Sequence, residues 1–313
     1  MFEEIIKAIG EFDTIIIHRH TKPDGDAIGS QTGLMHILSD AFPEKKIYMT
    51  GDRAGRFSFM DDSTMDELPS DVFKSALSII LDCGGSNMVS DDRYTMAAKS
   101  ARIDHHVYSG SFTDIEVIDS ERESCCGLIA SFAAEQHLPL SPAAAKALFT
   151  GMVTDSGRFR YDSTTANTLR TAALLLEKGI DLNEIYRNLY ADDFEYKRLK
   201  AEFILKIRFT PHNVAYIYTT RQELEALGQD TFSISRGMVN TMADIKGVSI
   251  WVNFTETEDG VLCELRSGDK SVVHIAKRHG GGGHDKACGA TLSSKAEAME
   301  MLGELDEIMQ EKI

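Results

Sequence analysis

The sequence has little proline, little basic charge, no spaced thiol pair and no long apolar run, and each shortage narrows what the chain can be. Six prolines beside 24 glycines, with 42% apolar and 26% charged residues, fall in the globular range and argue against disordered, collagen-like and disulfide-scaffold classes. No run approaches the ~20 apolar residues of a membrane-spanning helix, so no membrane partner is expected. Thirty-three basic side chains against 49 acidic ones leave a formal charge of −16, which repels long duplex nucleic acid unless positive charge is concentrated locally or supplied by metal. The five cysteines are an odd number, Cys125 and Cys126 are adjacent, and no CxxC pair occurs. A disulfide framework and a zinc ribbon therefore lack support, and a reducing, cytoplasmic setting is expected. The start, MFEEIIKAIGEF, carries acids where a signal peptide needs basic residues and then a continuous apolar stretch, so export is not expected.

What is present reads as α/β. A chain of 313 residues exceeds what one core usually organises, which favours two domains. Residues 14–18 (TIIIH) form a β-branched run, followed by a polar loop and a helical pattern through Ile28, Leu34, Leu38 and Phe42. The same grammar recurs. Strands are expected at 47–50, 76–81 and 101–103, and helices at 124–136, 142–153, 163–178 (Ser163 as cap, Gly179 as stop) and 181–190, where Glu184 completes a capping box. This alternation implies a mostly parallel sheet flanked by helices on both faces. A charged helix over 192–208 is expected to link this first domain, 1–191, to a smaller α/β domain over 209–313. That second domain reads as strands at 214–219, 248–254, 260–266 and 287–292, with a closing helix at 294–309.

The chemistry concentrates in four places, each just after an apolar run. His20, Asp24 and Asp26 lie in HTKPDGDAIGS, Asp82 ends ALSIILD, Asp104-His105-His106 follows ARI, and Asp155 lies in TDSGRF. Ligand sites in an open parallel sheet collect at the carboxyl ends of strands, so these segments can converge despite their separation. Carboxylates brought together raise one another's pKa unless cations neutralise them. A mixed Asp/His set without thiolate suits Mn²⁺ better than structural zinc, with Mg²⁺ or Co²⁺ as further candidates. The ligands are numerous enough for two divalent ions with one carboxylate bridging.

Each member also has a bland reading. An isolated Asp in such a loop is most often a helix cap, and PDGDA alone is a turn. Joint occurrence after separate apolar runs is what favours a site. An EF-hand is excluded, because Ile28 occupies the third ligand position and the distal Glu is missing. His18, inside a strand, and His36, on the apolar side of a helix, read as core residues. Gly280 to Gly283 would be a linker by composition, but their place between KRH and His284 favours a phosphate cradle. Arg158 and Arg160 flank Phe159 and Tyr161, which suits a stacked base and a phosphate, or else a packed turn.

These residues resemble the DHH phosphoesterase superfamily, named for the triplet present here as Asp104-His105-His106. HTKPDGDAIGS resembles its first motif, LDCGG its second, IDHH its third and TDSGRFRY its fourth, in the family's order. CELRSGDKSVVHIAKRHGGGGHDKACGAT resembles the DHHA1 substrate-binding domain, and the whole is most similar to the nanoRNase/pAp phosphatase (NrnA-like) branch. The resemblance implies that His20, Asp24 and Asp82 hold one metal while Asp26, Asp82, His105 and Asp155 hold the other. It implies a donor role toward the scissile phosphate for His106 and an orienting role for Asp104. Arg266, Gly280, Gly281, Gly282, Gly283 and His284 would receive a terminal phosphate or nucleotide. Cys263, Glu264 and Cys288 depart from the family pattern, which bears on specificity more than on catalysis.

Two cations would activate a water and neutralise phosphate charge, with His106 and Arg158 stabilising the transition state. Ser30, Ser124 and the cysteines have no base at recognisable spacing, so a covalent nucleophile is unsupported. The resemblance implies release of mononucleotides from single-stranded RNA or DNA of roughly two to five nucleotides, a length matched to a short cleft. It also implies release of AMP from 3′-phosphoadenosine 5′-phosphate (pAp). The competing readings are a linear or cyclic dinucleotide phosphodiesterase, an inorganic pyrophosphatase or polyphosphatase, and a noncatalytic RNA-binding protein. The sequence leaves the oligomeric state open, a homodimer included.

Overall fold

Short β-branched and apolar runs build the first sheet in this computed structural model, which describes residues 1–310 and divides at Ala191–Asp192 into two units. The strands of the first unit are β1 (Thr14–His18), β2 (Lys46–Met49), β3 (Leu77–Leu81), β4 (Lys99–Asp104) and β5 (Ile115–Ile118). They pair in parallel in the order β2-β1-β3-β4-β5. Its helices are α1 (Glu3–Glu11), α2 (Gly25–Ala41), α3 (Ser70–Phe73), α4 (Cys125–Glu135), α5 (Pro142–Asp155), α6 (Ala166–Leu176) and α7 (Leu182–Tyr190).

The two-residue period of a strand divides each run between the faces of the sheet. Ile15, Ile17, Ile79, Leu81 and Ile103 join the main core with side chains of α1, α2, α4 and α5. On the opposite face Ile16 meets Phe73 and Ala76, and Ile80 meets Cys83, Val89 and Tyr94. His18 lies there too, fully buried, with Nε2 3.0 Å from Ser78 Oγ. Burial lowers its pKa to about 4, which keeps the ring neutral at physiological pH. It is a core histidine.

Helices α2, α4 and α5 approach closely because glycines leave room. A Cβ at Gly29 would stand 2.6 Å from the Ala147 carbonyl oxygen, and one at Gly151 would strike Cys126 Sγ. Helix α6 begins later than expected. Thr165, rather than Ser163, caps it, in a reciprocal box with Thr168. Asp181 caps α7, while Glu184 instead accepts from Lys146 Nζ at 2.8 Å and ties α7 to α5. Helix α1 and strand β5 are additional to the elements expected from the sequence.

The second unit begins with α8 (Phe194–Lys206), followed by β6 (Arg208–Phe209), β7 (Ala215–Thr219), α9 (Arg221–Leu227), α10 (Thr231–Val239), β8 (Ile250–Glu256) and β9 (Val261–Ser267). It continues with α11 (Val273–Arg278), β10 (Gly282–His284), β11 (Ala287–Leu292) and α12 (Lys295–Gln310). The sheet order is β10-β11-β9-β8-β7-β6, with β7 and β8 parallel and the other pairs antiparallel. Helix α8, expected as a linker, packs into this unit, where Leu199 and Phe203 share a core with Ile217, Ile234 and Met238. The opposite sheet face, including Val252, Cys263 and Leu265, packs on Ile275 of α11 and Met301 of α12. No helix among the described residues is long and apolar enough to cross a membrane.

Two glycine substitutions separate tight packing from helix propensity. Gly29→Ala should lower stability by about 1–3 kcal/mol through overpacking. Gly10→Ala, whose added methyl would meet nothing within 4 Å, should be neutral or stabilising by up to ~1 kcal/mol. Urea unfolding midpoints at equal m-value read both effects, and equal stability of the two variants would contradict the packing assignment.

Candidate metal centre

The carboxyl ends of β1, β3 and β4 lie side by side in the parallel sheet, and this brings distant segments together. His20 follows β1, Asp82 follows β3, and Asp104 ends β4 directly before His105 and His106. Asp24 and Asp26 stand at the start of α2, and Asp155 is the last residue of α5. Ligand atoms of Asp82, His105 and His106, of His20, Asp24 and Asp82, and of Asp26, His105 and Asp155 form groups within which they lie inside 4.8 Å of one another.

Asp82 belongs to two of these groups and presents a different oxygen to each side. Its Oδ2 is 3.4 Å from His20 Nε2, and its Oδ1 is 3.5 Å from His105 Nε2. The same His105 nitrogen is 3.6 Å from Asp26 Oδ2 and 3.5 Å from Asp155 Oδ2. His20 Nε2 lies 3.8 Å from Asp24 Oδ1. Asp82 has a left-handed backbone, φ +54°, at the end of its strand, a conformation that Asp tolerates better than most residues.

Main-chain groups hold these side chains in place. Asp24 is at once a site residue and the α2 cap, accepting from the amides of Asp26 and Ala27 at 3.0 Å each. The Asp26 carboxylate accepts from the amides of Cys125 at 2.7 Å and Cys126 at 2.9 Å, the first turn of α4, where the helix dipole favours negative charge. His105 Nδ1 is 3.2 Å from the Arg122 carbonyl, and His20 Nδ1 is 2.7 Å from that of Thr21. A carbonyl can only accept, so each Nδ1 carries a proton and each Nε2 is the ring atom turned to the cluster, where it gains a lone pair only on losing its own proton. The Arg122, Cys125 and Cys126 backbone contributions escape a reading of side-chain motifs; the one sequence signal was Ser124, which caps α4.

The electrostatics show the cost of this crowding. Burial, with the charges of Asp82 and Asp155, pushes Asp26 well above the carboxylate range. Burial and the neighbouring Asp82 and Asp24 charges, outweighing His105, raise Asp155 to about 7. Asp155 also stands at the negative end of α5. Burial would lower His105, but its contact with Asp82 and the surrounding carboxylates prevail and raise it to about 11. The buried Asp82 Oδ1 has no hydrogen-bond partner. An orphaned oxygen, two imidazoles with Nε2 turned inward and four carboxylates fit divalent cations that would take the place of the protons. The thiols of Cys125 and Cys126 are held protonated by burial and stand outside this donor set.

His106 is oriented by Asp104, whose Oδ1 lies 2.7 Å from Nδ1. The Arg158 guanidinium lies over the Tyr190 ring, 4.7 Å from its centre. Phe159 packs inward on Phe149 at 5.8 Å, whereas Tyr161 is exposed. In the second unit, cross-strand register aligns Arg266 with Ala287 and Ala287 with His284. The four glycines are not one open loop. A Cβ at Gly281 would run into the Gly289 carbonyl, one at Gly283 would stand 2.7 Å from Cys288 Cα, and only at Gly282 and Gly280 would it meet open space. Close approach in the β10–β11 hairpin accounts for Gly281 and Gly283.

Outweighing burial, the carboxylates around it raise His20 to about 11 as they do His105, so a cation held here would have to displace protons from both rings and would bind more tightly as pH rises. The Tm gain with Mn²⁺ should be larger near pH 8 than near pH 6, and calorimetry in buffers of different ionisation enthalpy should register proton release. Both signals should collapse in Asp82→Ala and His105→Ala. An undiminished Mn²⁺ response in His105→Ala would remove that residue from the ligand set.

Residues 14–152 match the DHH family, N-terminal domain, and residues 226–311 match the DHHA1 domain. The chain is 32% identical to the bifunctional oligoribonuclease and PAP phosphatase NrnA of Bacillus subtilis, with 99% of each chain covered. It is 33% identical to the probable bifunctional oligoribonuclease and PAP phosphatase NrnA of Streptococcus mutans, again over 99% of each. An exopolyphosphatase-related protein from Bacteroides fragilis has a TM-score of 0.88 at 26% identity, covering 99% of this chain and 97% of that one. With matched models over both parts of the chain and full-length relatives, the protein belongs to the DHH/DHHA1 phosphoesterase family.

Proposed function

We propose that the protein hydrolyses short single-stranded oligoribonucleotides to mononucleotides and pAp to AMP. The observation that carries the reading is Asp82, whose two oxygens face different groups of potential ligands. The names of the full-length relatives supply the substrate class. Two divalent cations, Mn²⁺ for preference, would supply charge neutralisation and an activated water.

His20, Asp24 and Asp82 hold one cation in this scheme, and Asp26, Asp82, His105 and Asp155 the other. Asp104 accepts a hydrogen bond from His106 Nδ1, which fixes the ring and, with the Asp82 charge, raises its pKa, so that Nε2 of the imidazolium can donate to a phosphate oxygen. Arg158, three residues beyond Asp155, adds a second positive group for the transition state. Arg266, Gly280 to Gly283 and His284 would bind a terminal phosphate or nucleotide. The five free, buried cysteines suit a cytoplasmic protein.

Turnover of pAp, dinucleotides, a five-nucleotide RNA, cyclic-di-AMP and pyrophosphate should be compared with Mn²⁺ present. Mononucleotide release from the short RNA and AMP release from pAp should dominate. Asp82→Ala and His105→Ala should each reduce turnover about a thousandfold or more, roughly 4 kcal/mol of transition-state stabilisation. Retained turnover in either variant would sink the site assignment, and preferential cleavage of pyrophosphate or cyclic dinucleotide would replace the substrate reading.

A further inference from the structure

Helix α10 presents two side chains that its own core does not use. Its buried residues are Ile234, Ser235, Met238 and Val239, while Phe232 stands 64% exposed, one turn from Arg236. The Arg236 guanidinium lies over the Phe232 ring, 5.4 Å from its centre, and Nε donates to Glu264 Oε1 at 3.3 Å. The other Glu264 oxygen accepts from Arg266 Nη1 at 3.2 Å. One carboxylate therefore spaces two guanidiniums, and the triad keeps net positive charge.

Glu264 and Arg266 alternate along β9 with Cys263 and Leu265, which enter the core on α11 and α12, so they stand on the sheet face that α10 covers in part. Register continues that face to Gly289 and Gly282 beside Glu264, and to Ala287 and His284 beside Arg266. Gly289, Gly282 and Ala287 keep the β11–β10 side low up to His284. An exposed Phe alone is ordinary. A ring flanked by guanidinium groups at the edge of a low, glycine-bearing stretch of sheet has the chemistry that recognises a nucleobase joined to a phosphate.

We propose that Phe232 and Arg236 complete a nucleotide seat with Arg266: the ring stacks on a base, and the two arginines bind the adjoining phosphate. Glu264 sets their spacing and moderates their charge. The proposal rests on the nucleotide specificity proposed above and adds the residues that contact one end of the substrate.

Binding is separable from turnover, so the test uses a fluorescent dinucleotide and its terminally abasic counterpart, with Ca²⁺ in place of Mn²⁺. Phe232→Leu should weaken dinucleotide binding about tenfold, a typical loss for one base stack, and Phe232→Trp should restore it. The abasic ligand should bind wild type and Phe232→Leu equally, because the stack is already absent. Arg236→Ala should weaken both ligands and lower the salt slope by about 0.7, the share of one phosphate contact on a single strand. Glu264→Gln should tighten binding. Unchanged affinity in Phe232→Leu and Arg236→Ala, or no dinucleotide binding by wild type, would overturn the seat. Failure of wild type to cleave with Mn²⁺, while the variants still lose binding, would instead overturn the proposed reaction.

Discussion

Charge compensation at Asp82 is the constraint on which the first unit turns. Four carboxylates, Asp24, Asp26, Asp82 and Asp155, gather with His20 and His105 in a setting where Asp26 and Asp82 are almost fully buried. Without cations the cluster borrows protons, which is why the histidines rise and Asp155 moves toward neutrality. Such a site is stable as a charged assembly only when positive charge enters it. The scaffold is built to hold these side chains in that unfavourable state.

It does so unevenly. Asp26 rests on the amides that open α4, which satisfy both its oxygens, although burial and the Asp82 and Asp155 charges still push it well above the carboxylate range. Asp155 closes α5, where negative charge is unwelcome. Both carboxylates thus lack compensating positive charge, but only Asp26 is anchored by main-chain donors. Their separation is fixed by α2 and α5, which approach closely because Gly29 and Gly151 have no side chains.

The parallel sheet and the convergence of strand-end acids were legible because a βα loop announces itself twice, in the apolar run before it and the polar residues within it. Strand β5 was not, since only Ile115 and Val117 of its four residues turn inward. The start of α6 was misread at Ser163 because Thr165 is an equally good cap and has Thr168 three residues on. The site's side chains could be named from sequence, but the amides of Cys125 and Cys126 and the carbonyl of Arg122 could not, because every residue carries such groups. The glycine run combines positions of different kinds. Composition could not separate Gly281 and Gly283, which neighbouring backbone forbids from carrying a side chain, from Gly282, which has space around it.

The anchoring of Asp26 ties the acidic cluster to folding through a single side chain. Its two oxygens meet two N–H groups, and an asparagine there would turn its NH₂ toward one of those donors. Exchange of acid for amide, elsewhere a mild way to erase a charge, would here set donor against donor within a buried helix start. The position therefore has no neutral substitute of the same shape: exchanging the acid for its amide would also loosen the turn that begins α4, so this corner of the cluster cannot lose its charge while the scaffold stays intact.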